Sequence, residues 1–392
     1  MAGNVVMQSR QDNAALETSP AQVPEPAAGF VPVPTAGRVF LVHLEPHSPN
    51  QGQTLAIAEF LRKENWDIHI VCRASCRLVD GARLRSLPFH PLPDDGGRGL
   101  AMAWKVLRIL RGASGKDKSP NLVHACDPSA SHLASLVWRL NKKLRLVHTR
   151  RVPIMESSHK TMRCYQVPPA KVIADSLAGK IALRLSGLEP HLLHTIACGI
   201  DPSSCPRRKE RNDGRFVFAV TGDLMPRRGH TLLFDAIPLL ETKSAEPWEV
   251  RILGDGPFFA DLLREAEAKN VARHTAFLCG TDAGEELRSC DGLVLPASEG
   301  ESYLPLILQG WAARIPIITI NRLDHAEILQ DGANCLLVRP HDHEGLAAKM
   351  ALLASDASLR QRLAEGGRSA LARFSIQSMV TEHKRLYREI LA

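Results

Sequence analysis

A chain of 392 residues with 44% hydrophobic content has room for two globular domains of ordinary size, each with its own core. No stretch reaches the roughly 18 apolar residues of a spanning helix, and residues 1–10 lack the basic start and apolar run of a secretory signal. The nine cysteines are scattered with no Cys-x-x-Cys, which argues for reduced thiols in a cytosolic protein and against a disulfide framework.

The net charge of +7 is unevenly spread. Residues 38–205 hold about 24 Lys and Arg against about 13 Asp and Glu, while residues 206–392 hold about 24 against about 26. The basic half is either a solvated surface or one that meets an anionic partner: a membrane surface, a phosphorylated acceptor or nucleic acid.

Residues 1–37 carry Pro20, Pro24, Pro26, Pro32 and Pro34 and show no helical or strand period, so a disordered arm is expected. Residues 38–44 are a buried first strand. A loop with Pro46, Pro49 and Gly52 follows, then a helix over 54–63 and a strand over 67–72. Strand, loop, helix and strand in this order make a parallel α/β domain. Cys72 and Cys76 stand four apart, but no His or Cys pair follows at zinc spacing.

Residues 89–98 read as a turn-rich loop. Residues 100–111 are an amphipathic helix carrying Trp104, Lys105, Arg108 and Arg111, either a packed helix with a wet basic face or a membrane-facing one. A strand at 121–126, a helix at 131–142 and a strand at 144–149 come next. His124, Asp127, His148, Arg150 and Arg151 therefore fall near strand ends, where open parallel sheets place ligand groups. Each is either a packed residue or a ligand contact. A strand over 171–174 and a helix over 177–185 complete this half. Residues 202–213, with Pro202, Pro206 and Arg207-Arg208-Lys209, suit a hinge.

The second sheet starts at 216–220 and exits through Thr221-Gly222-Asp223-Leu224-Met225-Pro226-Arg227-Arg228-Gly229-His230. A glycine-containing turn with a nearby cation suits phosphate, because it offers free backbone N–H groups. A strand over 249–253 ends in Gly254-Asp255-Gly256-Pro257, which lacks the third glycine of a dinucleotide fingerprint. A strand over 275–280, a helix over 282–290 and a strand over 292–295 follow. Pro296-Ala297-Ser298-Glu299-Gly300-Glu301-Ser302-Tyr303-Leu304 then turns into a helix that begins near Ser302 and carries Gln309. A strand over 316–320 closes this βαβ unit. His341 and His343, beside Asp342, lie in a polar loop and read as solvated surface rather than a metal cluster. Helices over 346–353, 359–373 and 379–390 end the chain.

This ordered series resembles the retaining nucleotide-sugar glycosyltransferases of glycosyltransferase family 4. Their pattern includes a Pro-Ser, a Glu-Gly-Phe-Gly-Leu turn and a second Glu eight residues after the first, a spacing matched by Glu301 and Gln309. The family's Gly-Arg-Leu then Lys-Gly corresponds to Gly222-Asp223-Leu224 and Arg228-Gly229, its Gly-x-Gly-Pro to residues 254–257, and its first-domain Gly-Gly turn to Gly52 alone. Residues 171–176, 195–201 and 327–338 match further family segments.

The resemblance implies the GT-B class of α/β fold: two facing Rossmann-like parallel-sheet domains with a cleft between them. Expected boundaries are an arm at 1–37, an acceptor-side domain at 38–205, a nucleotide-sugar domain at 206–375 and a returning helix at 376–392. The resemblance further implies transfer of a hexose-type sugar from a nucleotide sugar to a hydroxyl of a glycan or lipid-linked acceptor, with no metal or other cofactor and no nucleic-acid partner. The expected place is the cytoplasm, open to an anionic membrane surface at its inner face.

By the same resemblance, His148, Arg228 and Glu301 are catalytic, with Arg151 the alternative to His148. Gly52, Gly222, Asp223, Gly254, Gly280, Ser302, Tyr303, Leu304 and Gln309 bind the donor. Two residues depart from the family. Asp223 stands where the family uses Arg, and Gln309 where it uses Glu. A non-catalytic GT-B binding or scaffold protein and a sugar-nucleotide epimerase of the same fold are the rival readings.

Overall fold

The computed structural model describes residues 37–46, 51–94, 99–114, 121–150, 163–167, 170–203, 208–209, 211, 213–226, 228–280, 283–298 and 303–392. They form two compact units, and the chain passes from one to the other between Gly199 and Ile200 and back between Ser375 and Ile376.

The first unit holds a sheet in the order β3-β2-β1-β4-β5-β6-β7, all parallel where the strands pair. Its strands are β1 Arg38–His43, β2 Ile68–Arg73, β3 Phe89–Leu92, β4 Asn121–Ala125, β5 Arg145–Arg150, β6 Ala170–Ala174 and β7 Leu193–Thr195. Its helices are α1 Gln51–Lys63, α2 Leu78–Leu84, α3 Leu100–Ser114, α4 Pro128–Leu140, α5 Leu177–Leu185 and α12 Ile376–Leu391, with α6 to α11 in the second unit. Buried parallel strands read as apolar runs because both faces are covered, which is why β1, β4 and β5 stand out in the sequence.

The loop expected over 89–98 is corrected at its start. Phe89–Leu92 is a strand that pairs Ile70 with Phe89 and Arg73 with Leu92. Pro91 is tolerated because β3 is the sheet edge, where a missing N–H breaks no ladder bond. The helix α2 was also not anticipated. Helix α4 begins three residues earlier than expected, because Asp127 caps it by accepting from the Ala130 N–H and Pro128 suits the first turn.

Side chains alternate across the strands, so each face has its own helices. Val39 and Leu41 pack with α1, α2 and α12, the last through Met379, Leu386, Tyr387 and Ile390. Phe40, Val42, Val123 and Leu146 pack with α3 and α4. Ala170 of β6 belongs to that second core, and Val172 and Ala174, two and four residues on, pack with Leu183 of α5. Helices α3, α4 and α5 therefore cover one sheet face.

The second unit holds a parallel sheet in the order β10-β9-β8-β11-β12-β13. The strands are β8 Phe216–Thr221, β9 Trp248–Leu253, β10 Thr275–Leu278, β11 Gly292–Leu295, β12 Ile317–Ile320 and β13 Leu336–Val338. The helices are α6 His230–Lys243, α7 Phe259–Ala268, α8 Ala283–Arg288, α9 Leu304–Ala312, α10 His343–Ser355 and α11 Ala357–Leu371. The strand order reverses between β8 and β11. Such a switch point opens a crevice beyond the carboxyl ends of the strands.

Candidate active site

At that switch point the exits of β8, β9 and β10 are laced together by backbone bonds. The Gly222 N–H donates to the Leu253 carbonyl at 3.1 Å, and the Leu224 N–H to the Asp255 carbonyl at 3.0 Å. The Gly280 N–H donates to the Asp255 carboxylate at 2.8 Å. Gly254 has φ +147° and lies so close to the Gly222 carbonyl that a Cβ would strike it. Only glycine meets both demands.

Gly229, with φ +80°, is the residue before α6, and a Cβ there would run into the backbone of Pro296 and Ala297 at the β11 exit. The two loops flanking the crevice are thus in backbone contact. Arg228 directly precedes Gly229 on the first of these loops. Its guanidinium is 3.8 Å from the Asp223 carboxylate and its Cζ is 5.8 Å from the Tyr303 ring centroid. Arg322 lies 5.7 Å from the same ring.

Tyr303 is buried, and burial pushes its phenol above the ordinary value. Its hydroxyl donates to the Arg228 carbonyl at 3.2 Å, and its N–H donates to Nε2 of buried His325 at 3.1 Å. Tyr303 thus ties the α9 start to the β8 exit and lays an aromatic face beside Arg228, a cation–π arrangement.

A cavity of about 370 Å³ opens here, its wall including Arg228, His230, Pro296, Ser298, His341 and His343. His230, first residue of α6, is 5% exposed, and burial, aided by the Arg228 charge, holds its imidazole down at about 4. It is therefore neutral near pH 7, with one donor and one acceptor nitrogen. Exposed His341 and half-buried His343 line the rim of the cavity. Asp342 between them caps α10 by accepting from the Gly345 N–H at 2.7 Å. Among the described residues no group of three or more His, Cys, Asp or Glu could hold a metal ion.

Several expected site residues come together here: Gly222, Asp223, Arg228, Gly254, Gly280, Tyr303 and Leu304, the first residue of α9. Gln309 is exposed on α9. Glu301 and Ser302 lie outside the described residues, as does Arg151. Gly52 is the exposed second residue of α1.

His148 is fully buried in the first unit, edge-on to Tyr165 at 5.3 Å, with no hydrogen-bond partner for either ring nitrogen among the described residues. Burial pushes it down to about 3. His124 is an interior tie, bonded at 2.6 Å to the Tyr387 hydroxyl and at 2.6 Å to Thr149. Asp127 accepts from the Leu44 and Ala130 N–H groups. Sequence reasoning did not assign His230, Arg322 or His325 a role; position after the Arg228-Gly229 pair was the one signal for His230.

Two family models match the chain in succession, Glycosyltransferase Family 4 over residues 53–204 and Glycosyl transferases group 1 over residues 205–370. Together the two models match residues 53–370 and mark the chain as a glycosyltransferase of the family 4 type. An uncharacterized glycosyltransferase of Methanocaldococcus jannaschii is 27% identical over 184 residues, 46% of this chain and 50% of that one. The phosphatidyl-myo-inositol mannosyltransferase of Mycobacterium leprae is 30% identical over 169 residues, 42% of this chain and 44% of that one. This family 4-type chain spans about half the length of these curated relatives. The crystal structure of Anabaena HepE in complex with UDP-glucose covers 90% of this chain and 99% of its own, with a TM-score of 0.77 at 16% identity. The two Rossmann-like parallel-sheet units of this family 4-type chain are of the GT-B class.

Proposed function

We propose that this chain is a retaining glycosyltransferase that moves a hexose-type sugar from a nucleotide sugar to an acceptor hydroxyl of a glycan or lipid-linked glycan. The observation that carries the reading is Arg228, held by Tyr303 at the switch point between glycine turns and the α6 N-terminus. The curated name of the M. leprae relative, a phosphatidyl-myo-inositol mannosyltransferase, supports a lipid-linked acceptor.

In this reading Arg228 steadies the diphosphate as the bond from the anomeric carbon to phosphate oxygen breaks. The new bond forms from the acceptor oxygen to the same face of that carbon, and the acceptor proton passes to the leaving phosphate. Glu301 and the N–H groups after it hold the sugar or phosphate, Gln309 faces the ribose, and no metal is required. Of the two first-half candidates, His148 is sealed in its core, which leaves Arg151, outside the described residues. The reaction takes place in the cytoplasm, with the basic first unit at the anionic inner face of the membrane.

Incubating purified chain with a panel of nucleotide sugars and acceptors tests this. We expect release of nucleoside diphosphate with one donor class, unchanged by a chelator and lost in Arg228→Ala. Equal rates for wild type and Arg228→Ala across the panel would sink it. The Asp223–Arg228 pair favours one rival, a scaffold that binds a nucleotide sugar without turnover, because the carboxylate neutralises the cation that catalysis needs. Donor binding without transfer or hydrolysis would establish that rival.

A further inference from the structure

We infer that the outer surface of α3, α4 and α5 is a docking face for an anionic lipid bilayer, with the side chains of α5 entering the headgroup layer. The inference rests on the membrane reading above and names the face that performs it.

Apolar residues four apart on a helix form one stripe, and in a globular unit that stripe is normally buried. In α5 the stripe faces outward. Leu177 is 52% exposed, Ile181 50% and Leu185 82%, while Ala182 and Leu183 face the sheet. Lys180 and Arg184 border the stripe three residues after Leu177 and Ile181. Exposed apolar groups beside long basic side chains suit a bilayer boundary, where the stems rest on acyl chains and the cations meet headgroups.

Helix α3 repeats the pattern on the same sheet face. In α3, Leu100 is 57% exposed and Trp104 53%, and Arg111 lies 6.0 Å from the Trp104 ring centroid. Indole rings of this kind settle at membrane interfaces.

Charge sets this face apart from the other. Helices α3, α4 and α5 contain Lys105, Arg108, Arg111, Arg139, Lys180 and Arg184 and no carboxylate. Helices α1, α2 and α12 on the opposite face mix cations with Glu59, Asp80, Glu382 and Glu389. An anionic surface is thus attracted to one side of the sheet. The apolar stripe between the cations favours lipid over nucleic acid, which would leave Leu185 in water.

Flotation of the full chain with phosphatidylcholine vesicles, with and without phosphatidylglycerol, tests the assignment. We expect binding to the anionic vesicles that weakens as salt rises. Lys180→Gln with Arg184→Gln should lower it roughly thirty-fold, since each cation near such a surface is worth about 1 kcal/mol. Ile181→Ser with Leu185→Ser should lower it about tenfold or more at unchanged charge. Lys63→Gln with Arg83→Gln, the same charge loss on the other face, should stay within about twofold. All variants are checked for unchanged melting.

Wild type that floats with no vesicle, or equally with both kinds, would overturn the membrane reading itself. Preferential binding to single-stranded nucleic acid, or a dimer that the stripe variants dissolve without vesicle binding, would do the same. Binding by wild type with equal losses in both charge variants would overturn only the choice of face.

Discussion

The Arg228 guanidinium stands 3.8 Å from the Asp223 carboxylate, both on the turn that leaves β8. Each side chain is less than a quarter exposed, at 12% and 24%, so solvent screens the pair only in part. A diphosphate reaching Arg228 competes with this carboxylate. Asp223→Asn should therefore bind nucleoside diphosphates about fivefold more tightly, the equivalent of about 1 kcal/mol for one partly buried pair. Isothermal titration of both proteins at one salt concentration measures it, and unchanged affinity would mean that Arg228 does not meet phosphate.

Gly229 is where the two loops of the crevice meet backbone to backbone. Alanine there must adopt φ +80° and also push Pro296 away. We expect Gly229→Ala to lower the stability of the second unit by about 2 kcal/mol or more and to weaken donor binding as the loops part. Denaturant unfolding and donor titration are the readouts. A variant as stable as wild type would show that the loops are not in backbone contact.

Glu301→Ala should reduce turnover about 30- to 1000-fold, the worth of one positioned polar contact in a transition state, while melting stays unchanged. Gln309→Glu should mainly tighten donor binding, because a carboxylate accepts ribose hydroxyls more strongly than an amide oxygen. Initial rates and donor affinities for the three proteins separate these effects. Equal turnover for wild type and Glu301→Ala would remove Glu301 from the reaction.

His230 makes stability depend on pH. Its folded value of about 4 lies below the ordinary 6.5, so the unfolded chain binds the proton first. Stability is complete above about pH 6.5, falls as pH drops from there towards 4, and levels off below. The full loss is about 3 kcal/mol. His230→Gln should flatten this part of the curve. Unfolding of both proteins at several pH values in that window checks the sign, and an identical slope would place His230 in water.

The strands of both sheets were readable because a parallel strand covered on both faces is an unbroken apolar run, as in Phe216–Thr221 and Gly292–Leu295. Strand β3 was hidden because Pro91 and His90 interrupt its run, and pairing with β2 alone makes it a strand. Gly222, Arg228 and Gly254 were readable for a similar reason: the demand for a turn at a strand exit is local. The partners of His124 were not. Tyr387 lies 263 positions away, and no local pattern joins them.

By itself the sequence determined that the chain forms two parallel α/β units, that glycine turns with a cation leave the second sheet, and that positive charge gathers in the first half. These follow from periodicity, turn chemistry and composition, which act between near neighbours in the chain. Only the tertiary structure decided that Asp223 faces Arg228, that Tyr303 is a brace, that His148 is sealed in a core, and that the stripe of α5 faces outward. Burial and pairing depend on which distant segments meet, and that is settled when the sheets and their helices pack.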